Sequence, residues 1–267
     1  MVPKLAAVFF VALFHVSLVL PAGVQPSEES AALDEACLQL ADRAAGATVA
    51  IDVVRRVSGR SAIERSQGSG FIVASRPGRL LIATAAHVVP EGAQARVRWP
   101  DEKSTRASAV WRQRDLDLAL YETHGPEHLH SEPLERSARR FASGERVCAM
   151  GFPATGQVTN MTAEPGRLLT HRNALSARVQ ARASRGQRAR LAVSGVWLHS
   201  APVLPGASGG PLLGADGRVI GLHVGSVTGW TGACLEDESG LCLRLPAHLA
   251  AGLDPLWPAV EQWLQQP

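Results

Sequence analysis

Three short segments carry side chains able to do nucleophilic chemistry, and they follow one another in the order histidine, acid, serine. Ala83-Thr84-Ala85-Ala86-His87-Val88-Val89 sets a histidine at the end of an apolar run. Arg114-Asp115-Leu116-Asp117-Leu118-Ala119-Leu120 leads two acids into another. Pro205-Gly206-Ala207-Ser208-Gly209-Gly210-Pro211 holds a serine in a glycine-rich turn. A serine hydroxyl is a weak nucleophile near neutral pH and needs a base to take its proton. Imidazole suits that task because its pKa lies close to the working pH. A buried carboxylate behind the ring holds its tautomer and stabilises the imidazolium that forms. Glycines beside the serine let backbone N–H groups turn toward a developing oxyanion. The residue types therefore point to His87 as base and Ser208 as nucleophile, with Asp115 or Asp117 as the acid.

Such groups converge only if a scaffold brings distant segments together. Short β-like runs dominate: 47–54, 70–74, 80–84, 95–99, 108–112, 116–121, 146–150, 167–170, 175–182, 189–194, 196–201, 211–213, 219–224 and 242–245. Stretches rich in Gly, Pro, Ser or Asp separate them. Residues 30–46 read as a helix, with Leu33, Cys37, Leu40 and Ala44 on one face and Gly46 as a stop. Residues 247–253 and 256–264 also read as helical. Many short strands at near-regular spacing, closed by a helix, predict an all-β sandwich or a pair of barrels. The Gly-x-Ser-x-Gly spacing also fits the nucleophile elbow of α/β-hydrolases, but there the acid and histidine follow the serine. The order here is the reverse.

These segments resemble the His, Asp and Ser boxes of trypsin-like serine peptidases, especially the HtrA-type and other bacterial branches. Thr84-Ala85-Ala86-His87-Val88-Val89, Asp117-Leu118-Ala119-Leu120 and Gly206-Ala207-Ser208-Gly209-Gly210-Pro211 match those boxes in order. The similarity spans roughly residues 47–253. Gly68-Ser69-Gly70-Phe71-Ile72-Val73 is similar to the family's strand before the His box. Val147-Cys148-Ala149-Met150-Gly151-Phe152-Pro153 resembles the strand that opens the second barrel, and Leu243-Arg244-Leu245-Pro246 the last one. The resemblance implies two antiparallel six-stranded β-barrels of the chymotrypsin type, with the site in the cleft between them. It implies His87, Asp117 and Ser208 as the catalytic triad, and the N–H groups of Gly206 and Ser208 as the oxyanion hole. The expected product is a serine endopeptidase working through an acyl-enzyme. A catalytically silent peptide-binding or scaffolding member of the same fold is the alternative, and loss of a triad residue would be its signature. The family's digestive members carry Asp just before the serine, whereas this chain has Ala207, so activation by insertion of a new N-terminus is not expected.

Preference for the side chain before the scissile bond is read from the pocket walls. Enzymes of this family that cut after lysine or arginine have Asp six positions before the serine. That position is Pro202 here, next to Val203. A cation in such a pocket would be desolvated without a partner, so a small or apolar residue is expected instead. The following strand, Val219-Ile220-Gly221-Leu222-His223-Val224-Gly225-Ser226, resembles that of glutamyl endopeptidases, which implies His223 and Ser226 as ligands of a substrate carboxylate. The Ser or Thr that group places five residues before the nucleophile is Val203 here.

Composition bounds the rest. The 267 residues are 46% hydrophobic with a formal net charge of +3, which excludes disorder as the dominant state. Only two of the 27 basic residues, Lys4 and Lys103, are lysines, and acids lie among the arginines. That makes a poor phosphate-binding stripe, so no nucleic-acid partner is expected, only protein or peptide substrates. Lys4 precedes an apolar run from Leu5 to Leu20, and Pro21-Ala22-Gly23 follows it. This reads as a secretory signal peptide over residues 1–22, placing the product in the periplasm or outside the cell, with no membrane span after its removal. The expected plan is a helical lead over 23–46, a first barrel over 47–138, a second over 139–253 and a C-terminal helix over 254–267, too short a tail for a PDZ module. In an oxidising compartment the four cysteines suggest two disulfides, read as Cys234–Cys242 and Cys37–Cys148. No metal or cofactor is expected. His124, His128 and His130 lack acidic or cysteine companions, and the arginines at 178, 182, 185, 188 and 190 read as a solvated basic face.

Overall fold

The computed structural model describes residues 28–56, 63–99, 102–126, 132–154, 160–171, 196–227, 234–236, 242–244 and 247–266. Helix α1 (Glu28–Ala44) leads into β1 (Thr48–Arg56), β2 (Ile63–Arg76), β3 (Arg79–Ala85), β4 (Gln94–Arg98), β5 (Ser104–Gln113) and β6 (Leu118–Thr123). Then come β7 (Arg146–Gly151), β8 (Thr162–His171), β9 (Val196–His199), β10 (Pro211–Gly214) and β11 (Val219–Val227). β12 (Cys234–Glu236), β13 (Cys242–Arg244), β14 (Ala247–Ala251) and helix α2 (Trp257–Leu264) complete the chain. Two closed antiparallel barrels result, in the orders β1-β2-β3-β6-β5-β4 and β10-β11-β14-β9-β8-β7. This is the chymotrypsin-like arrangement of two six-stranded barrels.

Closure explains why the strands read as nearly continuous apolar runs. Val49, Ile51 and Val53 of β1, Phe71 and Ile72 of β2, Leu81 and Ile82 of β3, and Leu118 and Leu120 of β6 are all buried in the first barrel. Bulges in β2 between Ile72 and Ala74, and in β5 between Ala109 and Trp111, supply the bends that a small barrel needs.

Each terminal helix braces the barrel made by the other half of the chain. Cys37, Leu40, Ala41 and Ala44 recur on one face of α1 and are buried, and Cys37 forms a disulfide with Cys148 of β7, Cα–Cα 5.2 Å. At the other end Trp263 of α2 is buried and its indole donates to Glu122 of β6 at 2.7 Å. The Arg76 guanidinium of β2 stacks 4.0 Å from the Trp263 ring and donates to the Gln266 carbonyl at 2.6 Å.

The last barrel strand corrects two expectations. Residues 247–253, read as helical, form β14 and a turn. All five residues of β14 are buried, and it pairs with β11 on one side and β9 on the other. Alanine favours helix in isolation, but a segment apolar on every face and flanked by two open strand edges is worth more as a central strand. Conversely, of 243–246, which resembled the final barrel strand, the described residues 243–244 lie in β13, which among the described residues pairs only with β12 in a separate two-stranded ribbon. The backbones of Cys234 and Cys242 lie on that ribbon; their side chains, and hence their pairing, are outside the described residues. So are the signal-like residues 1–22, the expected strands 175–182 and 189–194 with their arginines, and His128 and His130.

Candidate active site

His87 sits just past the end of β3 and Asp117 just before β6, so strand pairing delivers both to one end of the first barrel. The pair Ala85↔Leu118 closes that ladder. Asp117 takes a left-handed backbone, φ +56°, at the turn formed by its N–H and the Arg114 carbonyl. That turn aims its carboxylate back at His87. Oδ1 accepts the His87 main-chain N–H at 2.8 Å, and Oδ2 lies 2.7 Å from Nδ1 of the ring. The Ala86 N–H donates to the Asp117 carbonyl at 3.0 Å, and Arg112 donates to the Ala86 carbonyl. Asp117 is buried, while the His87 side chain is 36% exposed. Asp115 is not in this contact.

Ser208 approaches from the second barrel, in the turn before β10. Its carbonyl accepts the Ser69 N–H of β2 at 2.8 Å. Gly209 abuts the strand that carries His87: a methyl group there would fall 2.2 Å from the Ser69 carbonyl and 2.3 Å from the Thr84 hydroxyl. Among the described residues no hydrogen bond joins the Ser208 hydroxyl to the His87 ring. Such bonds are commonly long in unliganded sites and tighten when substrate binds.

Three N–H groups of the turn are engaged and two are not, among the described residues. The N–H groups of Ala207, Gly209 and Gly210 donate to Leu204, His223 and Ala207, at 3.0, 2.8 and 3.0 Å. Among the described residues, those of Gly206 and Ser208 have no main-chain acceptor. The Pro205 carbonyl accepts from Ala154 N–H at 2.7 Å, so the trans peptide turns the Gly206 N–H away from Ala154. Gly206 holds φ +96°, and a Cβ on it would meet the Ala154 nitrogen at 2.3 Å. Only glycine fits this position.

Ser69 is the joint between the barrels. Its hydroxyl donates to the Gly206 carbonyl at 2.8 Å and accepts the Phe152 N–H at 2.8 Å, while its carbonyl accepts the Thr84 hydroxyl at 2.7 Å. Sequence reasoning took Ser69 only as part of a supporting strand. Gln67 adds a further tie, donating to the Phe152 carbonyl at 3.0 Å.

Behind the serine turn, β11 carries His223, whose N–H donates to the Gly210 carbonyl at 3.0 Å. Its ring is buried and packs 5.2 Å from the His199 ring of β9, which lies 5.7 Å from His248 of β14. His199 and His248 face each other directly across the β9–β14 ladder. His248 Nδ1 is 2.7 Å from the hydroxyl of half-buried Ser226. Among the described residues no hydrogen bond of normal geometry reaches a ring nitrogen of His199 or His223, although the backbone at Ala201 and at Pro211 acts on the two rings. Burial, joined for His199 and His223 by the neighbouring imidazoles, lowers all three pKa values, that of His223 to about 3. Backbone at Ala201 and Pro211 opposes this weakly. His199 and His248 were passed over in the sequence, although a histidine inside an apolar run, as in Val196-Trp197-Leu198-His199, was the available signal. Of the expected pocket walls, Pro202 is exposed and Val203 packs against the second-barrel core. Elsewhere, His124 Nδ1 lies 3.0 Å from the Gly78 carbonyl. Among the described residues no cluster of three metal-ligating side chains occurs.

A family model described as trypsin-like peptidase domain matches residues 68–222. The chain is 32% identical over 195 residues to the bovine mitochondrial serine protease HTRA2, covering 70% of this chain and 38% of that protein. It is 28% identical to the serine protease Do-like HtrA of Lactococcus lactis, covering 68% and 42%. The chain thus spans about two fifths of the length of these relatives. The crystal structure of the Rv3671c protease in its inactive form superposes with a TM-score of 0.55 at 22% identity, covering 84% of this chain and 92% of that one.

Proposed function

Since the chain belongs to the family of trypsin-like peptidase domains, we propose that it is a serine endopeptidase acting through His87, Asp117 and Ser208. The observation that carries this reading is that, among the described residues, the Gly206 and Ser208 N–H groups have no main-chain acceptor, on a turn that Ser69 ties to the barrel of the hydrogen-bonded His87–Asp117 couple. His87 Nε2 takes the proton of the Ser208 hydroxyl as its oxygen attacks the scissile carbonyl. The carbonyl oxygen becomes an oxyanion facing the two N–H groups, donors that need no reorganisation as charge develops. Asp117 keeps Nδ1 protonated and offsets the imidazolium charge. The ring then hands its proton to the leaving amine, and water repeats the cycle on the acyl-enzyme.

Cleavage after lysine or arginine is disfavoured, because Pro202 and Val203 offer no counter-charge. Among the remaining choices we favour an acidic residue before the scissile bond, bound by His223 and Ser226, over a small apolar one. The buried imidazoles of His199 and His223 support it, since poorly partnered polar rings would be a costly floor for a purely apolar pocket. The signal-like residues 1–22 support placement outside the cytoplasm.

A fluorophosphonate probe tests the catalytic reading. The wild-type protein is expected to label and Ser208→Ala to stay unlabelled. Labelling that survives that change overturns the assignment of Ser208. A fully folded wild type that never labels points to the silent, peptide-binding alternative. Peptides varied only at the residue before the scissile bond test the pocket, with Glu expected above Ala, Val and Arg.

A further inference from the structure

We propose that a cavity on the outer face of the first barrel, held between Arg65 and Arg96, binds an acidic side chain beyond the scissile bond, on the part of the substrate that leaves first. This rests on the peptidase reading above.

The cavity measures about 520 Å³, and its walls include Asp52 and Val54 of β1, Arg65 and Gln67 of β2, Arg96 of β4, and Ala154. Its inner end is tied to the serine turn. The Ala154 N–H donates to the Pro205 carbonyl at 2.7 Å, and Gln67 donates to the Phe152 carbonyl at 3.0 Å. Two strands flank that turn. On one side β11 bonds it through Gly209, Gly210 and His223, and the side chain before the scissile bond is read to enter there. On the other side β2 meets it, with the Ser69 N–H on the Ser208 carbonyl. A substrate whose acyl half is committed to the β11 side leaves over β2, toward the cavity. From Ser69 along β2 to Arg65 is about 13 Å at ~3.3 Å per residue, so extended substrate reaches the arginines roughly two to four residues past the bond.

Charge decides what the cavity would take. Strand pairing sets Asp52 beside Gln67 on one side and Arg96 on the other, and Val54 beside Arg65. The aspartate is already met, because Arg98 Nε donates to it at 3.3 Å. Arg98 also lies 3.7 Å from Glu102, so it occupies both acids of this face. Among the described residues, exposed Arg65 and Arg96 have no carboxylate partner. Arg96 stands opposite Arg106 in the β4–β5 ladder, and directly opposed like charges cost stability that a nearby anion offsets. Its guanidinium is also held in place: Nε and Nη2 donate to the Ser104 hydroxyl and carbonyl, each at 3.0 Å. A fork so fixed is ready to bind a planar carboxylate with little further loss of freedom. An amide of the same shape would gain no charge attraction there.

The test uses peptides identical up to the scissile bond that carry Glu or Gln at the second, third or fourth position after it. In the wild-type enzyme at low salt, kcat/KM for Glu should exceed that for Gln by roughly three- to tenfold at the best position. The ratio should fall toward one at about 1 M salt, where the screening length is ~3 Å. Arg65→Gln, whose side chain has no partner to lose, should lower the low-salt ratio severalfold, and Arg65→Lys should keep most of it. Arg43→Gln, which removes an exposed charge from α1, should leave the ratio as in wild type. Glu and Gln cut alike at all three positions overturn the acidic site and leave the peptidase reading standing. An equal gain when Glu is moved to the N-terminal end of the peptide means attraction by net charge alone and also overturns it. Fluorescence anisotropy of the same peptides, labelled, on Ser208→Ala protein reads the cavity without turnover, and equal binding of Glu and Gln overturns the site. No hydrolysis of any peptide, with Glu still bound above Gln and the difference lost in Arg65→Gln, overturns the peptidase reading and leaves the acidic site standing.

Discussion

Ser69→Ala removes a single oxygen that no part of the catalytic chemistry touches, and it should nonetheless slow the reaction. That hydroxyl is enclosed, with Ser69 0% exposed, and it joins the Gly206 carbonyl to the Phe152 N–H, each at 2.8 Å. Alanine leaves both groups without this partner where water has little access. Each orphaned group costs about 1–3 kcal/mol; since Phe152 and Gly206 are themselves only half-buried, the lower half of that range applies, or roughly 2–4 kcal/mol in total. At ~2–4 °C per kcal/mol for a domain of this size, Tm should fall by about 5–15 °C. The freed carbonyl is that of Gly206, the residue whose own N–H is proposed to face the oxyanion, and losing such a donor outright costs about 10²–10³ in kcat. Partial misalignment should cost ~10-fold or more, in kcat with KM nearly unchanged, because the oxyanion exists only in the transition state. The assay is steady-state hydrolysis with active sites titrated by a fluorophosphonate, beside thermal unfolding and an exposed control, Ser66→Ala. A kcat within twofold of wild type in a protein whose Tm has dropped would refute the reasoning: the hydroxyl would then hold the barrels together without tuning the oxyanion turn.

Three more outcomes are expected. Gly206→Ala forces a Cβ to 2.3 Å from the Ala154 nitrogen at φ +96°, so kcat should drop by at least ~10², read by peptide hydrolysis. Reducing Cys37–Cys148, which closes a loop of 111 residues, should remove up to about 4–5 kcal/mol of stability, visible as a Tm lowered in reductant for wild type but not for Cys37→Ser. Burial raises the Glu122 pKa, but the Trp263 and Arg79 hydrogen bonds and the Arg79 and Arg76 charges outweigh it, leaving a net lowering. A lowered folded pKa stabilises above the unfolded value of about 4.3 and is lost as pH falls through the folded one. Glu122→Gln should therefore lower Tm by roughly 2–4 °C at pH 7, and the gap should close below about pH 4.

What could be read in advance was what local pattern encodes. The two barrels follow from strand-length apolar runs cut by turn residues, as in Leu80–Thr84 against Leu118–Tyr121. Proximity of His87 to Asp117 follows from those runs pairing, because β3 ends and β6 begins on the same rung. Residue types alone left Asp115 and Asp117 both open; the resemblance of Asp117-Leu118-Ala119-Leu120 to the family's box favoured Asp117, and the left-handed turn that aims it at His87 is a property of the folded backbone. β14 was misread for a related reason. Ala-His-Leu-Ala-Ala has no period of its own, and only the two strand edges waiting on either side make it a strand.

The histidine chain escaped the sequence because its members are non-local in a particular way. His199, His223 and His248 come from three different strands and share no spacing, so nothing short of the sheet order β11-β14-β9 unites them. Once that order is known their meeting is forced. His248 sits opposite His199 across one ladder, and the bulge in β11 between His223 and Gly225 shifts the register of its pairing with β14. An uninterrupted ladder would pair residue 224, not Gly225, with Leu249 and so turn Ser226 out of line with His248. The bulge thus absorbs Val224 and keeps Ser226 opposite His248. Deleting Val224 keeps Gly225 against Leu249 and Ser226 against His248, so any preference for an acidic side chain should survive it, with the Ser208 turn, held by Ser69, still able to react with a fluorophosphonate. Loss of labelling together with loss of preference would show instead that β11 supports the nucleophile and the pocket as one unit.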